Sequence, residues 1–216
     1  MTVAVAEVPV AKTTIAKKSG RKIPDYLIRE VIDGIPFYYA GYRSVMNKTK
    51  NIDDIMPHST LQGLIKNYIG DELKAKIDRK KFFVFVGETG VHINLNNNLG
   101  LDVAVFDKTK LTPDKIGDKY ADVAPDLVVE VDVNVELPDR QANLFDEFVM
   151  RKLRRLFAFG IKKIIWVFTK SKTVIVATPD VPWHIMDWNR DIELFEGINF
   201  NIEKYLLEEG IKNDEL

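Results

Sequence analysis

The sequence predicts an α/β or α+β fold, in which helices flank a mixed β-sheet that starts with an N-terminal β-hairpin. Short β-branched and aromatic segments recur along the chain. Two longer segments carry apolar residues at helical spacing, and no fixed period indicates a repeat protein. With 216 residues, the chain can form one domain core. We therefore expect a flexible N-terminal arm over residues 1–24 and a single domain over residues 25–216.

The first elements follow from turn and capping residues. Asp33-Gly34 lies between apolar segments, which predicts a tight β-hairpin, expected at an edge of the sheet. Farther along, Ser59 or Thr60 can accept the unpaired amide protons at the start of a helix. The apolar spacing after them predicts a helix that ends near Ala75.

The middle of the chain predicts strands. Glycine-rich and asparagine-rich segments separate apolar runs, so we expect a second hairpin and then two further strands. The last of these is the most β-branched segment in the sequence. The predicted strands cover residues 82–86, 91–95, 101–106 and 127–133.

The final part of the domain predicts a helix followed by more strands. The helix is expected over residues 141–159, because Gly160 is the residue type that commonly follows a helix end. A buried-strand pattern comes directly after it and pairs with the next apolar run. The remaining predicted elements are strands over residues 163–168, 173–178 and 192–195 and a helix near 202–207.

Composition limits the chemistry. Lys and Arg total 31 against 32 for Asp and Glu, which gives a formal net charge of -1 and excludes a generic polybasic nucleic-acid coat protein. The chain has no cysteine, so it has no disulfide, thiol nucleophile or cysteine zinc site. Its three histidines are scattered. A metal site would therefore be built from carboxylates, as is typical of magnesium, manganese or calcium.

The sequence also favours a cytoplasmic protein without a membrane partner. No apolar stretch of about 18 residues is present to span a bilayer. The first residues lack a cationic segment and are interrupted by Glu7 and Pro9, which makes a poor signal peptide.

Lys152 lies near the middle of the apolar arc of the second predicted helix. An unpaired ammonium is costly to bury, so the side chain must meet carboxylates, lose its proton or extend to the rim of the core. The apolar residues of this arc are Leu144, Phe145, Phe148, Val149, Leu153 and Leu156.

Acidic residues in two predicted strands are candidate partners for that lysine. Glu130 lies in a valine-rich strand that is predicted to be central in the sheet, and Asp102 lies in the strand before it. Two such carboxylates and an inward-facing lysine predict an oxygen-ligand metal site beside an ammonium. Asp132 shares the strand face of Glu130 by alternation, either as a ligand of a second ion or as a solvated acid.

At these residues the chain resembles the restriction-endonuclease-like proteins of the PD-(D/E)XK nuclease superfamily, over most of residues 25–180. The fragments are loose one by one, but their order and spacing are more specific. The matching stretches are Glu30-Val-Ile-Asp-Gly34, Pro57-His58, Leu101-Asp-Val-Ala-Val105, Pro125-Asp-Leu-Val-Val-Glu-Val131, Lys152-Leu153, Gly160-Ile161 and Ile165-Trp-Val167.

The resemblance implies roles for individual residues. Asp102 and Glu130 match the metal ligands of the family, with the backbone carbonyl of Val131 as a third oxygen. The superfamily lysine usually follows the glutamate by two positions, where this chain has Asp132. In the resembling family the following helix supplies that lysine instead, and Lys152 occupies the matching place. The sequence departs from the family where Asp132-Val-Asn-Val135 replaces Ser-Pro-Ser and Gly100-Leu101 replaces Arg-Pro.

The function implied by the resemblance is hydrolysis of DNA phosphodiester bonds by a homodimeric endonuclease that uses Mg²⁺ or Mn²⁺. His58, Arg151 and Arg155 are expected, more weakly, to contact the substrate, although an isolated histidine such as His58 is more typical of a capping or surface residue. Two alternatives remain open. One is a catalytically inactive module of the same fold that binds DNA or protein, and the other is a metal-dependent hydrolase of small phosphorylated molecules.

Overall fold

The computed structural model describes residues 22–95 and 97–212, so residues 1–21 of the predicted arm lie outside the described residues. The strands are β1 (Ile28–Ile32), β2 (Ile35–Tyr39), β3 (Phe82–Asn94), β4 (Asn97–Asp107), β5 (Leu127–Val131), β6 (Val135–Glu136), β7 (Lys163–Phe168), β8 (Thr173–Ala177), β9 (His184–Asp187), β10 (Ile192–Phe195) and β11 (Ile198–Phe200). The helices are α1 (Tyr42–Met46), α2 (Thr60–Lys76), α3 (Arg151–Phe159) and α4 (Ile202–Glu208), and a π-helix (Phe145–Met150) runs into α3.

Nine of the strands form one mixed sheet, as the sequence predicts. Eight of them follow the order β6-β2-β1-β4-β5-β7-β8-β9, β3 pairs with β4, and β10 and β11 form a separate ribbon. β5 and β7 are parallel, with the π-helix and α3 as their crossover, whereas the other described pairs are antiparallel. β5 is central, and all five of its residues are buried.

The N-terminal hairpin forms at the predicted turn but not at the edge of the sheet. Asp33 and Gly34 have φ angles of 56° and 74°, the left-handed backbone that a tight hairpin turn needs. β1 pairs with β4 on its other side, and β2 pairs with β6. The expected edge position is wrong because the short strand after β5 returns to cover the free side of β2.

The predicted hairpin between residues 82–86 and 91–95 is also wrong. β3 is one continuous strand that contains a bulge, since Val86 pairs with Val103 whereas Thr89 pairs with Leu101. Gly87 has φ 121° and accommodates the extra residue in the strand. The glycine in this segment therefore marks a bulge, and the chain reverses only between β3 and β4.

The two main helices carry the predicted start and end signals. Ser59 caps α2 by accepting a hydrogen bond from the Gln62 amide at 3.2 Å, and Gly160 ends α3 with φ 113°. The second helix starts later than residue 141, at the π-helix. A π-helix has a wider turn than an α-helix, which shifts the buried arc and leaves Phe145 39% exposed.

Two apolar cores lie on opposite faces of the sheet. Val128 packs on the face covered by α3 and the N-terminal hairpin, and Leu127, Val129 and Val131 pack on the face covered by α2 and α4. The predicted alternation along β5 is confirmed. No helix in the described ranges is long and apolar enough to span a membrane.

Candidate active site

Lys152 enters the core from α3 and is 3% exposed. Its Nζ atom lies 3.0 Å from Glu30 Oε1 and 3.2 Å from Glu130 Oε1, and it donates to the carbonyl of Gly100 at 3.0 Å. Of the three outcomes that a lysine on an apolar arc allows, the structure has the one in which the ammonium meets carboxylates.

Glu30 was missed as a site residue in the sequence analysis. It is 8% exposed, and its Oε1 atom also accepts the backbone N–H of Gly100 at 3.1 Å. The available signal resembled the one that identified Glu130, since Glu30 is an acid in a predicted strand, although Arg29 lies beside it in the same strand. Glu30 therefore fixes Lys152 and β4 together.

Asp102 is oriented by two donors from different elements. Its Oδ2 atom accepts the Val131 N–H at 2.9 Å, which ties β4 to the end of β5. Its Oδ1 atom accepts from Lys66 Nζ at 3.3 Å, and Lys66 is itself only 7% exposed. The site thus contains a second buried lysine.

The signal for Lys66 was also present in the sequence. The predicted apolar face of α2 consisted of Leu61, Leu64, Ile65, Tyr68 and Ile69. Ile65 and Ile69 are fully buried, as predicted, whereas the other three are only partly buried. The face that is buried contains two polar residues among the apolar ones, at helical spacing. Its members are Gln62, Ile65, Lys66, Ile69, Gly70 and Leu73.

The carboxylate of Glu130 is buried and incompletely satisfied. Lys152 lies 3.2 Å from Oε1 but outside hydrogen-bond geometry, and no described group donates to that oxygen. Burial raises the pKa of Glu130 to about 8; Lys152 opposes the shift, and Asp102 and Glu30 add to it. Burial disfavours the charged form of Lys152, but Glu130 and Glu30 outweigh burial and raise the lysine pKa above its usual value. Lys152 is therefore an ammonium.

Asp132 follows directly after β5 and lines the same pocket as Glu130. Its φ of 62° takes the chain out of β5. Its side-chain oxygens accept from the Thr169 N–H and hydroxyl, both at 2.6 Å, and from Gln62 Nε2 at 2.7 Å. The expectation of a solvated acid is wrong because these donors tie Asp132 to the segment after β7 and to α2.

The two arginines expected to contact substrate lie apart from the lysine. Arg151 and Arg155 both pair with Asp33, and Arg151 also pairs with Glu147 at 3.0 Å. They line a separate pocket on the outer face of α3. Their contact with substrate stays a prediction.

His58 precedes α2 and reaches the mouth of the site. Its Nε2 atom lies 3.1 Å from Glu88 Oε1, and its Nδ1 atom lies 3.2 Å from Asn134 Nδ2. Arg29 contacts the same Glu88 oxygen at 2.8 Å. Sequence analysis did not single out Arg29 or Glu88.

The two acids and Lys152 line one pocket, and its oxygen ligands suit a hard cation. The pocket is lined by Asp102, Glu130 and Val131, and Glu130 Oε1 has no hydrogen-bond donor among the described residues. Across residues 22–95 and 97–212, no three His, Cys, Asp or Glu side chains are arranged to hold a metal by themselves. A cation bound here would therefore take two carboxylates and complete its shell with main-chain oxygen and water.

The sequence matches the family model of Uma2, described as "Putative restriction endonuclease", over residues 52–203. The chain belongs to this family. One similar solved structure is described as a "putative nuclease belonging to DUF820 from Anabaena variabilis ATCC 29413". It has 14% sequence identity and a TM-score of 0.58, and the match covers 80% of this chain and 86% of that one. No curated protein matches.

The family and the fold are those of a nuclease, in agreement with the predicted resemblance. The Uma2 match starts after the β1–β2 hairpin. Glu30 and Arg29 therefore reach the site from a part of the chain that precedes the family match.

Proposed function

We propose that this Uma2 protein is a metal-dependent endonuclease that hydrolyses DNA phosphodiester bonds. The observation that carries the proposal is the buried ammonium of Lys152 beside Glu130, whose Oε1 atom has no donor, and close to Asp102. A buried carboxylate oxygen without a donor is costly, and a cation removes that cost. The family and the fold support the same class of reaction.

Asp102 and Glu130 would hold Mg²⁺ or Mn²⁺, with the Val131 carbonyl as a further ligand. When bound, such an ion polarises a phosphoryl oxygen and makes a bound water more acidic. A metal ligand must be ionised, so a bound cation would also offset the burial that raises the pKa of the Glu130 carboxyl.

Lys152 keeps its proton at Nζ and acts through its charge. Because Glu130 and Glu30 raise its pKa, the ammonium orients the attacking water or the phosphate and stabilises the negative charge that develops on the phosphoryl group. Glu30 is a positioning residue, since its Oε1 atom accepts from Lys152 Nζ at 3.0 Å.

DNA cleavage tests the proposal. Supercoiled and branched DNA are incubated with Mg²⁺ or Mn²⁺ and wild type, Lys152→Ala, Glu130→Ala or the control Asp126→Asn. Asp126 is a buried acid just before β5 but outside the pocket. Cleavage by wild type and the control, lost in the two site variants with intact folding, supports the proposal. Absence of cleavage by wild type on all DNA contradicts it and favours the inactive module.

Thermal unfolding tests the metal separately. Mg²⁺ or Mn²⁺ should raise the melting temperature of wild type, and Asp102→Asn should abolish the rise. An equal rise in both proteins would place the bound ion elsewhere. Competition by nucleotides rather than by DNA would favour the hydrolase of small phosphorylated molecules.

We also propose that the enzyme acts as a homodimer, because cutting both strands of a duplex takes two sites. Linear product formed directly from supercoiled DNA, together with a dimer mass by light scattering, is the expected result. A monomer that only nicks DNA would contradict it.

A further inference from the structure

Three side chains at the mouth of the pocket form a small charged cluster. Glu88 Oε1 is contacted by Arg29 Nη2 at 2.8 Å and by His58 Nε2 at 3.1 Å. Arg29 and Glu88 line the same pocket as Asp102, Glu130 and Lys152. One carboxylate oxygen therefore accepts from two donors at the entrance to the proposed metal site.

A bulge in β1 brings Arg29 to this mouth. Ile28 pairs with Tyr38 and Glu30 pairs with Phe37, so Arg29 is the extra residue. Neighbouring residues of a regular strand point to opposite faces, and a bulge re-aims one of them. The irregularity allows Arg29 and Glu30 to line one pocket.

A second bulge, in β3, brings Glu88 to the same place. The two residues Gly87 and Glu88 lie opposite the single residue Asp102 of β4. Gly87 has φ 121°, a conformation that few other residues adopt. Two bulges in separate strands thus converge beside one metal-ligand candidate, and bulges are frequent next to active sites.

The two donors are held more firmly than the acid. The side chains of Arg29 and His58 are 19% and 21% exposed, whereas that of Glu88 is 55% exposed. Asn134 Nδ2 supports the His58 ring at 3.2 Å, and the Arg29 guanidinium lies 5.4 Å from the centre of the Tyr39 ring. Glu88 is therefore the component that can leave while the donors stay in place.

A guanidinium and an imidazole N–H that bind one carboxylate oxygen can bind a phosphate oxygen in the same way. We propose that Arg29 and His58 form a subsite for the DNA backbone phosphate next to the one that is cut, and that Glu88 occupies this subsite until DNA displaces it. The inference rests on the proposed function, since it takes DNA as the substrate. In the free protein Glu88 acts as a phosphate substitute.

Duplex binding with Ca²⁺ in place of Mg²⁺ tests the subsite, by fluorescence anisotropy on DNA checked to be intact. Glu88→Gln should tighten binding by about threefold to tenfold, because it removes a competing charge. Arg29→Ala should weaken binding by about tenfold and lower the slope of log affinity against log salt by about 1. The double variant should bind like Arg29→Ala alone.

Glu193→Gln is the matched control. Glu193 is 54% exposed and lies 3.7 Å from Lys163, outside the pocket, so this change removes a similar charge without freeing a phosphate subsite. Its affinity for DNA should equal that of wild type.

The outcomes separate the two proposals. If wild type binds duplex DNA but Glu88→Gln does not bind it more tightly, the subsite is overturned and the proposed function still stands. The same holds if Glu88→Gln still tightens binding in the variant that lacks Arg29. An equal gain in Glu193→Gln overturns it too, since the effect is then one of net charge. If wild type binds no duplex, both proposals fail.

Discussion

Two buried acids at the two ends of β5 have opposite relations to their counter-charges. Asp126, just before the strand, is 3% exposed, and its Oδ1 atom lies 2.7 Å from Lys110 Nζ and 3.2 Å from Lys162 Nζ. Glu130, near the other end, is 6% exposed and has Lys152 beside it. Both acids belong to the same central region of the sheet, and both have a lysine nearby.

The difference lies in where the lysines are. The side chains of Lys110 and Lys162 are 39% and 65% exposed, so their charged ends stay hydrated while they neutralise Asp126. The side chain of Lys152 is 4% exposed, shares its charge among several acceptors and leaves one Glu130 oxygen without a donor. Burial of an acid is therefore a weak sign of a site, and an incompletely satisfied acid beside a buried counter-charge is a stronger one.

The rate of DNA cleavage should show the largest difference between the two ends of β5. Lys152→Met should lower the rate of DNA cleavage by about a thousandfold, because a charge that stabilises the transition state is lost. Lys162→Met, at the other end, should change the rate less than about threefold. Single-turnover cleavage with Mg²⁺ measures both. Equal losses in the two variants would contradict the distinction.

Stability should show the next largest difference. Lys152→Met leaves Glu30 and Glu130 buried without their ammonium. The free energy of unfolding, measured by urea denaturation, should therefore fall by about 3 to 5 kcal/mol. Lys162→Met removes one exposed partner and should cost about 1 kcal/mol or less. Adding Glu130→Gln to Lys152→Met should recover part of the loss. No recovery would mean that packing, and not charge, explains the cost.

The pH dependence of stability should distinguish the two ends of β5 by a smaller amount per pH unit. The pKa of Glu130 is about 8 in the folded protein against a usual 4.5, so the folded state binds more protons between these values. The free energy of unfolding of the metal-free protein should therefore fall as pH rises through this window, by about 1.4 kcal/mol per pH unit. Glu130→Gln should flatten this slope and Asp126→Asn should not. An unchanged slope in Glu130→Gln would assign it to other groups.

The smallest expected effect is on stability and concerns the two lysines that pair with Asp126. Lys110→Ala and Lys162→Ala should each cost about 0.5 kcal/mol, because the remaining lysine still neutralises the acid. The double variant should cost more than their sum, since it leaves Asp126 without either lysine. Strict additivity in thermal unfolding would show that the two lysines act independently.

Much of this arrangement could be predicted from the sequence. Helical spacing placed Lys152 on an inward face, and strand alternation placed Glu130 on the face opposite Leu127 and Val129, because both patterns depend only on backbone geometry. The two-residue turn at Asp33-Gly34 was equally local. These features needed no knowledge of distant contacts.

The parts that were wrong or missed depend on irregular backbone and on distant pairing. Strand alternation ends at Asp132, where a positive φ takes the chain out of β5. A glycine pattern that fits a turn formed a bulge in β3 instead. Glu30 joined the site through pairing with β4, which local patterns do not specify. Lys66 could have been found by applying the test used for Lys152 to α2.

The ion pair between Glu30 and Lys152 joins residues 122 positions apart. During synthesis Lys152 is added after the β1–β2 hairpin, α1, α2 and the central strands β4 and β5. Incomplete chains that end before it can contain both proposed metal ligands and still lack the ammonium. If the protein has the proposed activity, only chains whose synthesis has passed Lys152 in α3 would be able to cut.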